Sequence, residues 1–341
     1  MLKREKGEPV FTPPYTVVGG MERAAASGLS AFILNRGARY PRRRTFNELI
    51  KAGFDYIVSV ETGASHYEIN ELSAAFPSVR FIILSDQVSI GQRINICVEE
   101  LKSPLFFVLW NDLKLLYNCN AAKIAERLLL PANEIGRGVS GKNWYRRLCT
   151  APVFQTTQFE QLPSAIAPIL KKHAVETASF AAAKEDAPTL YPFQAVGVYD
   201  RQRFITIGGF DPLITNSYWQ MLDFGLRAWL WGEEIRCTHH IHLCSDEIPA
   251  LDEAVVDGGF YRFFLKNLLP VLRNAGTKDM YAHIPLKMLL RCLLQCNIPF
   301  EKSPFKHKLA LFFEARQWVR EHRENWKQSA ETLIRNWEVH T

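Results

Sequence analysis

Short apolar runs alternate with amphipathic segments along the first third of the chain. The pattern predicts strands at residues 31–34, 56–60, 79–84 and 105–110, separated by helices at 45–52, 68–76 and 90–101. Each apolar run is followed by polar or glycine residues of the kind that end a strand. Strands that alternate with helices at this interval indicate βαβ units, so we predict an α/β fold built on a mostly parallel, Rossmann-like sheet.

The rest of the chain continues the pattern less regularly. Helices are predicted at 121–129 and 163–173, strands at 148–154 and 236–243, and a glycine-spaced loop at 136–141. From residue 251 onward, apolar residues recur at helical intervals over 251–272, 287–294 and 305–337. We therefore expect a lead-in that is mostly loop (1–28), a main α/β domain (29–245) and a C-terminal helical extension (246–341).

Residues 196–235 carry the clearest functional signal. An apolar run, predicted as a strand, ends in a turn whose two adjacent glycines, Gly208 and Gly209, allow positive φ or the close approach of a ligand. The helix that follows places Asp223 one turn before Arg227. This spacing alone favours an ion pair worth about 0.2–0.5 kcal/mol. The preceding turn favours a functional acid instead.

Polar residues follow the apolar runs repeatedly, and aromatic residues precede the glycine turn. In parallel sheets, ligands bind beyond the carboxyl ends of the strands. Those ends here carry Asn35-Arg36, Glu61-Thr62-Gly63, Ser85-Asp86 and Asn111-Asp112. The aromatic residues Tyr191, Phe193 and Tyr199 are candidates to line a sugar pocket, although at least one is expected to be buried core.

Composition and charge restrict the class of protein. The net charge of +6 is spread over 341 residues, so a nucleic-acid partner is not expected. Basic residues cluster in an early loop suited to a diphosphate (Arg36, Arg39, Arg42, Arg43, Arg44) and in a stretch at 302–327 suited to a membrane surface. The seven cysteines are odd in number and include no Cys-x-x-Cys, which indicates a reducing compartment. Without a secretory signal, or an apolar run near the ~18 residues that span a bilayer, we expect a cytoplasmic protein.

The 196–235 stretch resembles the acceptor-side motif of inverting family-2 glycosyltransferases, which have the GT-A fold. The matching elements occur in the family's order: Arg203-Phe204, Gly208-Gly209-Phe210-Asp211, Asp223, Leu226-Arg227 and Gly232. The resemblance covers roughly residues 30–245. It implies a GT-A domain whose nucleotide-binding half lies at about 29–115 and whose acceptor-binding half lies at about 116–245.

The resemblance also implies a donor site. Glu61 matches the acid that contacts the base or ribose, and Arg93 and Asn95 match a Gly…Arg-x-Asn pattern that begins at Gly91. The family's Asp-x-Asp is reduced to Trp110-Asn111-Asp112, so only the second acid is present. A departing diphosphate needs positive charge, from Mn²⁺ or Mg²⁺ or from fixed Arg and Lys such as Lys114. We favour a metal, and its expected ligands are Asp112, His240 and His242.

On the acceptor side, the resemblance implies contacts from Gly208, Gly209, Phe210, Asp211 and Trp219, and Asp223 as catalytic base. An alignment without gaps, however, puts Met221 at the family's usual base position. The expected function is transfer of a sugar from a nucleoside diphosphate sugar to a hydroxyl of a saccharide, lipid-linked or protein acceptor, with inversion. The alternative is a catalytically silent module that binds a nucleotide sugar or a protein partner. A nucleotidyltransferase is disfavoured, because no Gly-rich phosphate loop follows the first strand.

The C-terminal helices are open to two interpretations. Their apolar residues recur at helical spacing, as expected for helices that pack inward on the main domain. The same amphipathic pattern, combined with the basic stretch at 302–327, also suits peripheral contact with an anionic membrane that carries lipid-linked acceptors.

Overall fold

A computed structural model describes residues 13–36, 42–62, 66–116, 119–129, 147–171, 174–245, 253–274, 280–289 and 305–338. The strands are β1 Tyr15–Gly19, β2 Leu29–Leu34, β3 Ile57–Thr62, β4 Val79–Leu84, β5 Leu105–Trp110, β6 Leu113–Leu115, β7 Arg147–Gln155, β8 Ala165–Lys171, β9 Ala174–Phe180, β10 Gly197–Asp200, β11 Glu234–Ser245, β12 Val271–Asn274 and β13 Met280–His283. The helices are α1 Arg42–Ala52, α2 His66–Ala75, α3 Ile90–Glu100, α4 Ala121–Leu129, α5 Arg201–Thr206, α6 Ser217–Leu230, α7 Gly258–Asn267, α8 Phe305–Glu321 and α9 Ala330–Glu338.

The central sheet of the described chain has nine strands in the order β1-β4-β3-β2-β5-β10-β7-β11-β6. Strands β4, β3, β2 and β5 are parallel neighbours, and β7 is parallel to β11. Strand β10 is antiparallel to both β5 and β7, so these two groups run in the same direction. Six strands therefore point one way and only β1, β10 and β6 point the other. The predicted α/β fold with a mostly parallel sheet is confirmed.

The central strands are buried on both faces, which explains their continuous apolar sequences. Every residue of β2 (LSAFIL) and β5 (LFFVLW) is buried, as expected when helices cover both sides of a parallel sheet. Phe106 of β5 stacks on Phe32 with ring centroids 4.8 Å apart and on Tyr199 of β10 at 5.0 Å. These ring contacts join the parallel group to the antiparallel strand that follows it in the sheet.

Several predicted elements were wrong in type. The lead-in contributes a strand, because β1 pairs with β4 at the edge of the sheet. The segment predicted as a helix at 163–173 contains strand β8, which forms a two-stranded hairpin with β9. The apolar run before the glycine turn is a short strand followed by helix α5. The predicted loop at 136–141 and most of the predicted helix at 287–294 lie outside the described residues.

The C-terminal part packs on the main domain through a shared core, and it is not purely helical. Phe312, Val319, Ile334 and Trp337 from α8 and α9 belong to the same buried cluster as the sheet residues. Strands β12 and β13 form a small antiparallel sheet beside these helices. The buried stripe of α8 thus packs inward, and contact of its exposed face with a membrane stays a prediction. Among the described helices, none is both long and apolar enough to cross a bilayer.

Gly225 in α6 offers a test of how closely this helix packs. A Cβ atom at this position would overlap the backbone carbonyl of Leu190. We expect Gly225→Ala to lower the free energy of unfolding by about 1–3 kcal/mol, although alanine is the better helix former. Gly258→Ala in α7 is the matched control, because its Cβ would meet nothing within 4 Å. Denaturant unfolding of both variants measures the difference, and equal stabilities would contradict this packing.

Candidate functional site

Three neighbouring strands bring polar side chains to one edge of the sheet. Asn35 follows β2, and its amide donates to the carbonyl oxygen of Val60 at 2.8 Å. The backbone N–H of Arg36 donates to Oδ1 of Asn111, after β5, at 3.0 Å. The ends of β3, β2 and β5 are therefore tied together, and we call the group Arg36, Glu61 and Asp112 at this edge the strand-end site.

Arg36 is the central cation of the strand-end site. Its guanidinium lies 4.3 Å from the ring centroid of Trp110. Nη1 donates to Oδ2 of Asp112 at 2.8 Å, and Nη2 donates to Oε1 of Gln194. The other carboxylate oxygen of Asp112, Oδ1, is buried and has no hydrogen-bond partner among the described residues. Trp110, which stands where the family has an acid, thus provides a face on which a fixed arginine stacks.

Glu61 lies in the strand-end site but is almost fully buried, with 1% of its surface exposed. Oε1 accepts a hydrogen bond from the Ser59 hydroxyl at 2.8 Å, and Oε2 lies 3.2 Å from Nη2 of Arg42. The structure therefore brings Glu61 and Asp112 to the same edge of the sheet. Each of the two carboxylates is paired with an arginine of the basic early segment.

The backbone beside Arg36 is held in an unusual conformation. Gln194 and Ala195 are consecutive non-glycine residues in the left-handed region, with φ of 53° and 62°. The indole N–H of Trp110 donates to the carbonyl oxygen of Gln194 at 3.1 Å, and the hydroxyl of Tyr199 donates to that of Ala195 at 2.7 Å. Such residues cost on the order of 1–3 kcal/mol each and cluster at functional sites. No sequence signal predicted this strain.

A cavity of about 290 Å³ adjoins the strand-end site. Its walls come from the β8–β9 hairpin, from helix α6 and from the segment before β10, so we call it the hairpin cavity. Residues that matter for its chemistry are Glu176, Tyr191, Phe193, Gln194, Tyr218 and Met221. Gln194 belongs to both places, because it lines the cavity and also accepts from Arg36. The volume lies near the lower end of the ~300–1,000 Å³ range of small-molecule sites.

The predicted aromatic residues divide between this cavity and the core. Tyr191 and Phe193 line the hairpin cavity, and their contact with a sugar stays a prediction. Tyr199 is fully buried and stacks between Phe106 and its other aromatic neighbours, so it belongs to the core. The sequence did not indicate Glu176 or Tyr218, since no element was predicted over β9, which carries Glu176.

Asp223 is placed differently from the expected catalytic base. It is completely buried, and its Oδ2 accepts from Nη2 of Arg227 at 2.8 Å. Its Oδ1 accepts from the Asn267 amide at 2.7 Å and lies 3.3 Å from Nζ of Lys266. Asp223 is not among the residues that line the hairpin cavity. In this arrangement both carboxylate oxygens lie beside buried cations and accept hydrogen bonds from protein groups.

Asp211, the acid of the glycine turn, is also an internal ion partner. Its Oδ2 accepts from Nε of Arg262 at 2.8 Å and from Nζ of Lys266 at 2.6 Å. Burial alone would raise the pKa of Asp211, but the charges of Lys266 and Arg262 outweigh it and hold this pKa below its usual range. Burial likewise would raise the pKa of Asp223, but the charges of Lys266 and Arg227 outweigh it and lower this pKa. We call these five residues the buried ion network.

The other residues expected to bind an acceptor form the interior of the turn. Gly208 and Gly209 have φ of 83° and 63°, as predicted from their sequence. Arg227 donates to the carbonyl oxygen of Gly209 at 2.8 Å, and Phe210 stacks on Phe224 with ring centroids 4.3 Å apart. The turn thus packs against α6, and its aromatic residue faces the core.

Trp219, Asn95 and Arg93 likewise make protein contacts. The indole N–H of Trp219 donates to the Val255 carbonyl oxygen at 2.5 Å. The Asn95 side chain clamps Phe210 by accepting from its N–H at 3.0 Å and donating to its carbonyl oxygen at 2.9 Å. Nε of Arg93 donates to the carbonyl oxygen of Val88 at 3.3 Å. None of these contacts connects the three side chains to the strand-end site, and their predicted roles in binding stay predictions.

Gln220 and Met221 lie three and two residues before Asp223 on α6, and the ungapped alignment predicted Met221 at the family's usual base position. Oε1 of Gln220 accepts from the Gly91 N–H at 2.8 Å, while Nε2 donates to the Asp211 carbonyl oxygen at 3.0 Å. A carboxylate could not make the second of these bonds, because it has no N–H to donate. Met221 faces the hairpin cavity with a thioether, which cannot accept a proton from a hydroxyl at neutral pH.

The expected metal ligands do not form a cluster. Among the described residues, no three side chains of His, Cys, Asp or Glu come together in a group that could hold a metal ion. His240 is half exposed, and its Nε2 lies 3.9 Å from Oε1 of Glu185. His242 lies on β11, which pairs with β7. Asp112 alone, through its unpartnered Oδ1, offers a hard oxygen ligand within the strand-end site.

Comparison with known proteins found solved structures that resemble this chain at low similarity. No protein-family model matches the chain, and no curated protein matches it. A structure of GalNAc-T7 with UDP, GalNAc and Mn²⁺ is 12% identical with a TM-score of 0.46, covering 70% of this chain and 47% of its own. TarS from S. aureus is 12% identical, with a TM-score of 0.45, and the match covers 89% of this chain and 44% of the TarS chain. A structure of the TarS fragment 1–349 with UDP is 13% identical to this chain, with a TM-score of 0.46. The match covers 92% of both chains.

This chain therefore spans less than half the length of the GalNAc-T7 and longer TarS chains. At TM-scores below 0.5 the similarity does not assign a function to the chain.

Replacing Asp223 tests whether the residue is structural. We expect Asp223→Asn to lower the free energy of unfolding by about 3–5 kcal/mol, because it leaves buried cations without their compensating charge. The matched control is Glu48→Gln, which breaks an ion pair of the same i,i+4 spacing with Arg44 that is largely exposed. That change should cost no more than about 0.5 kcal/mol. Urea unfolding at neutral pH measures both. A stability of Asp223→Asn equal to wild type would contradict the structural role.

The buried ion network also predicts how stability depends on pH. Because the pKa values of folded Asp211 and Asp223 lie below those of the unfolded chain, the network stabilises the fold fully above the unfolded carboxyl pKa of about 3.9. This contribution is lost as the pH falls through the lower pKa values of the folded state. The urea midpoint should therefore drop between pH 7 and pH 3, and less steeply in Asp223→Asn. Parallel pH profiles for the two proteins would argue against this linkage.

Proposed function

We propose that this chain is a GT-A-type glycosyltransferase that transfers a sugar from a nucleoside diphosphate sugar to an acceptor hydroxyl, with inversion. The observation that supports the proposal is that the strand-end site and the hairpin cavity adjoin each other. The strand-end site offers charges suited to a nucleotide donor, and the hairpin cavity beside it offers aromatic walls suited to a sugar. Gln194 connects the two.

In this proposal the donor lies across the carboxyl ends of β3, β2 and β5. Glu61 would contact the base or the ribose, in the role that the resemblance implies. Arg36, which Asp112 and the face of Trp110 hold, would lie beside the diphosphate. Its guanidinium would stabilise the negative charge that develops as the nucleoside diphosphate departs. A fixed arginine has to reorganise little for this role, because neighbouring residues already orient it.

A divalent ion, Mn²⁺ or Mg²⁺, is part of the proposal, with Asp112 Oδ1 as its ligand from the described residues. When bound, such an ion would neutralise diphosphate charge and so assist the departure of the leaving group. His240 and His242 are not needed for this arrangement. In this arrangement Arg36 would supply a permanent positive charge, and Asp112 would supply a hard oxygen ligand for the ion.

The acceptor hydroxyl would enter through the hairpin cavity, where Tyr191 and Phe193 present aromatic rings. A saccharide, a lipid-linked sugar or a glycosylated protein each suits such walls. Inversion requires the hydroxyl to attack from the side opposite the diphosphate.

A second candidate is a catalytically silent module that binds a nucleotide sugar or a protein partner. Met221 favours it, since a thioether lines the cavity at the family's usual position for the base. Calorimetric titration with a panel of nucleoside diphosphate sugars, with and without Mn²⁺, combined with an assay for released nucleoside diphosphate, separates the candidates. Binding with turnover supports the transferase, and binding without turnover supports the module. Absence of binding across the panel would exclude both nucleotide-sugar candidates.

Variants of the strand-end site separate the arginine from the metal. Arg36→Ala should weaken binding of the preferred nucleoside diphosphate about tenfold or more, with or without Mn²⁺, because it removes charge-assisted hydrogen bonds worth about 1.5–3 kcal/mol. Asp112→Asn should abolish only the increase in affinity that Mn²⁺ produces. Arg335→Ala is the control, because this exposed arginine in α9 pairs with Glu331. Calorimetry that finds Arg36→Ala unchanged would remove Arg36 from the donor site.

A further inference from the structure

The described walls of the hairpin cavity carry no positive charge, and this restricts the ligand that the cavity can take. Among the described residues that line it, none is a lysine, an arginine or a histidine. Glu176 also borders the cavity, but the register pairs it with Ile169, on the face of the hairpin opposite to Thr177 and Ser179. Both Glu176 and Ile169 are exposed. An anion that entered the cavity would therefore lose water without gaining a cation, which is costly.

Arg36 does not supply the missing charge, although it bonds to a residue of the cavity. Its Nη2 donates to Oε1 of Gln194, while its Nη1 donates to Oδ2 of Asp112 at 2.8 Å. The charge of Arg36 is therefore compensated within the strand-end site. Because an arginine can only donate, the amide oxygen of Gln194 is the atom that faces it, and the amide NH₂ group is kept as a donor. Gln194 thus presents a neutral polar group to the cavity.

The polar groups of the cavity wall are hydroxyls. The hydroxyl of Tyr218 lies 3.3 Å from Oγ1 of Thr177, and Ser179 lies on the same face of the hairpin as Thr177. Burial raises the pKa of Tyr218, so the phenol stays neutral. The rings of Tyr191 and Phe193 line the same cavity. Hydroxyls beside aromatic rings match the hydroxyls and the apolar face of a sugar ring.

We propose that the hairpin cavity binds an uncharged sugar ring of the acceptor and discriminates against anionic sugars such as uronic acids and sugar phosphates. This inference rests on the proposed function, because it identifies the cavity with the acceptor side of that reaction. The hydroxyls of Tyr218 and Thr177 bond to hydroxyls of the ring, and the aromatic walls cover its apolar face. A volume of about 290 Å³ suits one ring and not an extended oligosaccharide. Whatever carries the acceptor, its terminal ring is neutral.

The experiment compares sugars that differ only in charge at C6. The pairs are methyl glucoside with methyl glucuronide and methyl galactoside with methyl galacturonide, titrated into the full chain and followed by ligand-observed NMR. We expect at least one neutral glycoside to bind, and its uronide to bind at least about tenfold more weakly, because the carboxylate loses water without gaining a cation. A uronide that binds as tightly as its neutral partner would overturn the inference, and so would the absence of binding by every glycoside.

Removal of one hydroxyl tests the polar wall. Tyr218→Phe should weaken binding of the neutral glycoside about three- to tenfold, because one hydrogen bond to the ring is lost. The matched control is Tyr15→Phe in the edge strand β1, where the hydroxyl donates to Oε1 of Glu100 at 2.9 Å. This control should leave glycoside binding unchanged, and thermal unfolding shows whether both variants are folded. Folded Tyr218→Phe that binds the glycoside like wild type would remove the Tyr218 hydroxyl from the site and contradict the inference.

An added cation tests the discrimination directly. Ala254 lines the cavity and is exposed, so a lysine there adds a positive charge at the cavity without being buried. Ala254→Lys should raise the affinity for the uronide, relative to that for the neutral glycoside, at least about threefold. Ala178→Lys is the control, because Ala178 is exposed on the same face of the hairpin as Glu176. An equal effect of the two lysines would contradict the role of cavity charge.

Failure of this inference can be distinguished from failure of the proposed function. Wild type that binds a nucleoside diphosphate sugar but no neutral glycoside would overturn the inference and leave the proposed transfer intact. Wild type that binds a neutral glycoside but no nucleoside diphosphate sugar would overturn the proposed function, while the cavity would still be a site for uncharged sugars.

Discussion

The compensation of two carboxylates in the interior is the constraint on which this structure depends. An unpaired buried carboxylate costs several kcal/mol, and Asp211 and Asp223 share Lys266, whose Nζ lies 2.6 Å from one and 3.3 Å from the other. Arg227 extends the network to the turn by donating to the carbonyl oxygen of Gly209. The glycine turn, α6 and α7 are therefore held in one geometry by charge as well as by apolar packing.

This constraint decides which residues are available for chemistry. A carboxylate whose pKa is held low by buried cations is a poor proton acceptor, and Asp211 and Asp223 are both in that state. Chemistry has to come from side chains at the rim of the sheet. There the strained backbone at Gln194 keeps its carbonyl oxygen on the Trp110 indole and its side chain on Arg36. The strand-end site thus lies at the rim of this rigid interior.

Local patterns predicted most of the parallel half of the fold, because consecutive residues of the chain form each βα unit there. Strands β4 and β5 match their predicted limits, and all their residues except Arg80 of β4 are apolar. Strand β8 was mistaken for part of a helix, and β9 was not predicted, because the sequences of these two strands do not alternate clearly. Pro168 lies within β8, and proline is tolerated there because a two-stranded sheet leaves edge positions without ladder bonds. The pairing of these strands depends on tertiary contacts, which a short stretch of sequence does not reveal.

The position of the strand-end site could be predicted from the sequence, but the surroundings of the candidate acids could not. The sequence indicated that Glu61 and Asp112 follow parallel strands, and shared strand ends bring them to one edge. It could not indicate that Asn267, 44 residues after Asp223, completes the coordination of that carboxylate. A weaker signal was nevertheless present, since Arg262 and Lys266 lie one turn apart in the largely apolar helix α7. Because cations on the buried stripe of a helix require buried anions, these two residues already implied that some of the candidate acids belong to the interior and not to the reaction.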